Sequence, residues 1–171
     1  MKKRVSYNLK SYLVPLASII VVACIAWLRA SRRDDMAYLW IFLGLIVFMV
    51  IMMLFFSPVS IHLTDNVISL KSPLRSISVP LDEIIRIRNF VPSPSAKSPF
   101  GARDWMGTWG QFKDSRVGKY QAFYGNPDNC YLIELSNGKN YLIGCDDVSD
   151  IISSVLKRRP DLNADGKLAI N

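Results

Sequence analysis

The sequence predicts a membrane α-helical hairpin joined to a mainly-β domain of about seven antiparallel strands, capped by one C-terminal helix. Three observations predict it. Two uncharged apolar runs occupy 12–28 and 37–56. From Val59 onward apolar and polar residues alternate in short stretches, the period of a half-buried strand. Between Asp146 and Arg159 the apolar residues recur every three or four positions, the period of an amphipathic helix. Residues 1–57 therefore read as a tail and two spans, 58–159 as the β domain with its helix, and 160–171 as a flexible tail.

Composition fits this division. Half of the 171 residues are hydrophobic (50%) although 20% are charged, because the two classes are segregated along the chain. The first run, Tyr12 to Leu28, is short for a span, with Pro15 expected in its first turn, where a missing N–H costs least. The second run, Ala37 to Phe56, would rise about 30 Å as a helix, one hydrocarbon core, before Pro58 stops it. Lys2-Lys3-Arg4 ahead of an apolar run also suits a signal peptide, and Val21-Val22-Ala23-Cys24 looks like a lipoprotein box. The chain stays apolar through Leu28, however, which favours a span.

The net charge of +7 raises nucleic acid as a partner. Its placement argues against that reading: the excess flanks the apolar runs, where basic residues set membrane orientation. Lys2, Lys3, Arg4, Lys10, Lys71 and Arg75 outweigh Arg29, Arg32 and Arg33 of the turn between the spans. Both termini are thus expected in the cytoplasm, on a multi-pass protein integral to the cytoplasmic membrane.

In the β region, Val59–Leu63, Val67–Lys71, Arg75–Val79 and Ile85–Phe90 read as four strands. Pro92, Pro94, Pro99 and Gly101 make the following segment a loop, extended here to 91–118. Lys119–Tyr124 is a fifth strand. Cys130 to Cys145 is a hairpin about Asn137-Gly138, the favoured pair for a two-residue turn. That turn would place Ile133 opposite Leu142 and Cys130 opposite Cys145, within disulfide reach, with reduced thiols expected in a cytoplasmic compartment. The helix that follows carries Asp146, Asp147 and Asp150 at its start and Lys157, Arg158 and Arg159 at its end, as the helix dipole favours.

Four strands, three strands and a capping helix is the order of the pleckstrin-homology fold. Val79-Pro-Leu-Asp-Glu-Ile-Ile85 resembles the I-P-L-x-x-I segment of bacterial pleckstrin-homology-like (PH-like) domains found in small membrane proteins. Gly107, Trp109, Gly110, Phe112, Gly118, Tyr120, Ala122 and Tyr124 resemble the Gly/aromatic repeat of one subgroup. Tyr141-Leu-Ile-Gly-Cys-Asp-Asp147 is similar to its ending, with Gly144-Cys145 where Ser-Pro is usual. The resemblance covers about 59–158 and implies a fold and a membrane setting, without implying phosphoinositide binding.

No residue pattern assembles catalysis or a cofactor site. His62 is the single histidine and has no nucleophile or metal ligand beside it in sequence. Neither a Walker-type loop nor a G-x-G-x-x-G or G-x-S-x-G motif occurs. The expected function is non-catalytic: a membrane-anchored binding or assembly module, with the bilayer, a protein partner and anionic lipid headgroups as its contacts. Candidate binding surfaces are Arg75, Arg86 and Arg88, placed on one strand face by the i, i+2 spacing of the last two, and Trp105 and Trp109 on the long loop, one of them in the core. The competing expectation is an extracytoplasmic calcium-responsive protein. It rests on Asp161, Asn163 and Asp165, which match the opening D-x-N-x-D-G of a calcium loop, although its closing bidentate Glu is missing.

Overall fold

The computed structural model describes residues 1–31 and 37–164. Arg32 and Arg33 of the expected turn, and Asp165 of the calcium-loop pattern, lie outside them. Helices α1 (Leu9–Ala30) and α2 (Ala37–Phe56) lie against each other and are long and apolar enough to cross a membrane. No residue of Leu39–Phe56 is fully buried, so apart from the contacts with α1 and at its last residue, its apolar side chains meet lipid or solvent rather than a protein core. α1 begins three residues before the apolar run, which moves Pro15 from the expected first turn into the helix interior.

The β region holds two sheets rather than seven strands in a simple series. The first has the order β1-β2-β3-β4, from β1 (Lys2–Arg4), β2 (Ser60–Leu63), β3 (Val67–Lys71) and β4 (Ser76–Pro80). The second runs β5-β9-β10-β8-β7-β6, from β5 (Ile84–Asn89), β6 (Lys97–Ala102), β7 (Thr108–Asp114), β8 (Gly118–Tyr124), β9 (Cys130–Leu135) and β10 (Asn140–Gly144). β10 slots between β9 and β8 and runs parallel to β8, so the set is not wholly antiparallel as expected. The expected 91–118 loop contains β6 and β7. Pro99 fits there because β6 is an edge strand, where a missing N–H faces away from the ladder.

One core lies between the sheets. Ile61, Leu63, Ile68, Leu70 and Val79 of the first sheet meet Ile84, Ile87, Phe123, Ile133, Leu135 and Ile143 of the second. α3 (Val148–Arg158) closes the end with Val148, Ile151, Ile152 and Val155, the stripe its spacing predicts. Residues expected as tail continue as the short helix α4 (Asp161–Ala164), and Leu162 is buried in the same core. A second cluster lies on the outer face of the larger sheet: Phe90, Phe112, Tyr120, Ala122, Tyr124, Cys130, Leu132 and Leu142.

The β9–β10 hairpin differs from expectation by one residue. Leu132 faces Leu142, and Cys130 faces Gly144 rather than Cys145. The cause is the turn. Leu135 accepts from the Gly138 N–H and donates to the Lys139 carbonyl, so three residues loop instead of two. Gly138 alone there takes a positive φ (77°), whereas the two-residue turn needs one at Asn137 as well. Because side chains alternate, the shift sends the two thiols to opposite faces: Cys130 into the outer cluster and Cys145 into the inter-sheet core. Both are free.

Candidate membrane-proximal binding surface

Two prolines prepare the helices to hold the domain. A helical carbonyl normally accepts from the N–H four residues on, and proline has none to give. Pro15 therefore leaves the Ser11 carbonyl free, and Met106 of the β6–β7 connection donates to it at 2.9 Å. Pro58 likewise leaves the Leu54 carbonyl free, and Leu74 of the β3–β4 turn donates to it at 3.1 Å. Each helix is thus tied by its backbone to a different sheet. Tyr7 adds a third tie: its hydroxyl donates to the Pro58 carbonyl, and its ring packs edge-on against Tyr12 at 5.5 Å. Burial, with Tyr12 adding to it, pushes that hydroxyl up to about 12.

Aromatic packing completes the joint. Phe56, the last residue of α2, stacks on Trp109 of β7 (4.8 Å between centroids, 15° between planes) and meets Phe100 of β6 edge-on at 5.9 Å. Arg75 lies over the same Phe56 ring at 5.5 Å. Trp109 is buried and donates its indole N–H to the Trp105 carbonyl at 3.1 Å; Trp105 is only partly buried. One tryptophan of the candidate pair therefore belongs to the core. Gly107 packs under Pro58, where an added Cβ would come within 2.6 Å of the ring. Leu74 and Phe100 stay exposed beside the end of α2, giving the rim an apolar surface flanked by Arg75.

The three candidate arginines do not form one patch. Arg86 and Arg88 share the outer face of β5, as their spacing predicts, but Glu134 of β9 lies between them, 4.0 Å from Arg86 and 2.9 Å from Arg88. Arg75 sits at the joint with α2, near β7 and β8, several strands from β5. Sequence spacing cannot show Glu134, because it arrives from a strand more than forty residues later.

Sequence reasoning missed a second polar site entirely. β5 and β6 occupy opposite edges of the larger sheet, so the segment from Phe90 to Ala96 crosses its outer face as a strap. Asp114, at the end of β7, is buried and accepts from the Arg116 side chain (3.0 and 3.2 Å), the Arg116 N–H (2.9 Å) and the Ser93 N–H of the strap (3.3 Å). The Arg116 guanidinium holds the Asp114 carboxyl down at about 2. Arg116 also lies 4.6 Å over the Phe90 ring, while Arg103 lies over Phe112 and donates to the strap carbonyls of Pro94 and Ala96. Between the strap and the first turn of α1 opens a cleft of about 320 Å³, lined by Asn8, Lys10, Ser93, Arg103, Asp104, Thr108 and Tyr124 among others. The loop beneath it is strained: Asp104 and Met106 take positive φ angles of 56° and 48°.

The remaining candidates stand apart. His62 contacts Ser60 at 3.2 Å, and burial followed by Lys71 and Lys2 lowers its pKa. Asp161 opens α4 and is gripped by Arg159 at 2.7 Å. Among the described residues no group of His, Cys, Asp or Glu is placed to hold a metal ion. Cys130 and Cys145 have their thiol pKa values raised by burial, that of Cys145 to about 12. Compared with protein-family models, curated proteins and solved structures, the chain gives no significant match.

Proposed function

We propose that the chain is a membrane-anchored, non-catalytic binding and assembly module that presents a PH-like β domain at the cytoplasmic face of the membrane. The observation that carries this reading is the stitching of the domain to its helices. β1 precedes the helical pair and β2 follows it, yet they pair in one sheet, with Lys2 opposite His62 and Arg4 opposite Ser60. With both helices across a bilayer, that pairing requires the two ends of the helical pair to emerge on one side. The carbonyls freed by Pro15 and Pro58 then fix the domain against the surface with no flexible linker. Such tethering concentrates the domain beside any other membrane-bound partner.

The basic residues that precede α1 and follow α2 support the cytoplasmic side. A binding role is supported by how the ionisable groups are used. Asp114, Glu134 and Asp161 each engage an arginine and hold structure together. The two packed sheets and the closing C-terminal helix support the PH-like reading; the six-stranded second sheet and its parallel β8–β10 pair are departures that it has to accommodate.

Alkaline carbonate washing of membranes tests the anchoring, and labelling of an introduced cysteine, Lys139→Cys, tests the side. The chain should stay in the pellet, and the new thiol should react with an impermeant maleimide only after the cells are lysed. Release into the wash removes the anchor from the proposal. Labelling in intact cells places the domain outside.

A further inference from the structure

We infer that the cleft between α1 and the 90–96 strap binds the phosphodiester headgroup of an anionic glycerophospholipid, an inference that rests on the membrane anchoring proposed above. Four observations lead there. The cleft has about 320 Å³ of space, within the range of small-molecule sites. One wall is Asn8 and Lys10, the cap and first turn of the helix whose apolar body follows directly, so its mouth lies at headgroup depth. The opposite wall carries Arg103, whose guanidinium is already held by the strap carbonyls and by the Phe112 ring, so little freedom is lost on binding. Neither Lys10 nor Arg103 has a carboxylate partner among the ion pairs of the described residues.

The polar lining matches a phosphodiester. Lys10 and Arg103 both line the cleft, beside Thr108 and Tyr124, whose side chains hydrogen-bond each other, and Asn8 adds a neutral polar group. Asp104 is the one carboxylate in the lining, which leaves an excess of one positive charge for one phosphodiester. The opposed charges provide tests of opposite sign: removing Lys10 weakens binding, and removing the Asp104 charge strengthens it. Asparagine suits the second test because it tolerates the positive φ at position 104.

The full chain in non-ionic detergent would be titrated with dihexanoyl-phosphatidylglycerol, with uncharged dihexanoylglycerol and with inorganic phosphate, followed by native mass spectrometry and calorimetry. Phosphatidylglycerol should bind in the cleft, about fivefold more weakly in Lys10→Gln and about fivefold more tightly in Asp104→Asn, at roughly one charge's worth of headgroup attraction. Both effects should shrink in high salt. Arg86→Gln, on the far strand, should change neither. Equal binding of phosphatidylglycerol by wild type and both variants overturns the inference, as does equal binding of dihexanoylglycerol. Inorganic phosphate binding as tightly as the lipid overturns the headgroup assignment and makes this a free-phosphate site. If Lys10→Gln fails to fold, Asp104→Asn alone decides by the sign of its effect. A chain that resists carbonate washing yet shows no lipid selectivity loses the cleft and keeps the anchor; a chain that is washed off loses the anchor itself.

Discussion

Met106 donates its backbone N–H to the carbonyl of Ser11, one helical turn before the proline that leaves that carbonyl free. The bond makes an apparent defect in α1 part of the joint with the β domain. Replacing Pro15 with Ala should therefore have two effects of opposite sense. The helix gains propensity and an internal bond, while the restored N–H competes with Met106 for Ser11. Hydrogen exchange at the Met106 amide should speed up about fivefold in Pro15→Ala, the equivalent of losing about 1 kcal/mol of hydrogen bonding. Unchanged exchange at that amide would show that the loop is held by other contacts.

The Phe56–Trp109 stack predicts a large loss on truncation. Trp109 is 5% exposed and bridges the end of α2 to the second sheet. Trp109→Ala should cost about 3–5 kcal/mol in urea unfolding, the range for emptying a large aromatic site. Trp109→Phe, which keeps a ring against Phe56 but loses the bond to the Trp105 carbonyl, should lose clearly less. Equal losses from the two variants would remove the stack as the source of stability.

Asp114 predicts an acid-sensitive strap. Its folded pKa is about 2, below the ordinary 3.8, so the ionised form is the one that folding favours. Its contribution is complete above the unfolded value and is lost as pH falls from near 4 through about 2. Asp114→Asn should therefore lower the midpoint of urea unfolding at pH 6, and the gap from wild type should close as pH approaches 2. A gap that stays constant across this window would contradict the assignment.

The cysteines give a redox prediction. Cys130 and Cys145 lie on opposite faces of one sheet, so mild oxidation of the folded chain should create no bond between them, and its mobility on non-reducing gels should not change. Both thiols should resist maleimide until denaturant is added, because they are buried and their pKa values are raised. An intramolecular disulfide formed without unfolding would refute the observed register.

These results show where sequence periodicity carries information and where it stops. The apolar runs, the strands β2 to β5 and the α3 stripe were legible because each is set by local alternation or spacing. β1 was not, since Lys2, Lys3 and Arg4 read as orientation charges and only their distant partner makes them a strand. β6 and β7 were hidden by Pro99, which the edge strand β6 tolerates, and by the paired Gly101 and Gly110, whose backbones approach too closely for a Cβ. Asn137-Gly138 located a turn correctly, yet the number of residues looping through it decided which way every following side chain points. The arginine face was legible as spacing on β5; its neutralisation by Glu134 depended on a pairing across the sheet. The cleft was invisible for the same reason: its walls come from the start of α1, the strap and the β6–β7 connection.

The first strand has a consequence for how the protein is made. Residues 2–4 leave the ribosome ahead of both apolar helices, but β2, which they pair with, emerges only after them. Arg4 also accepts from the Asp146 N–H, near the far end of the described chain. Residues 2–4 therefore wait, unpaired, while both helices are translated, and their last backbone bond, to Asp146, closes only after both sheets have been made.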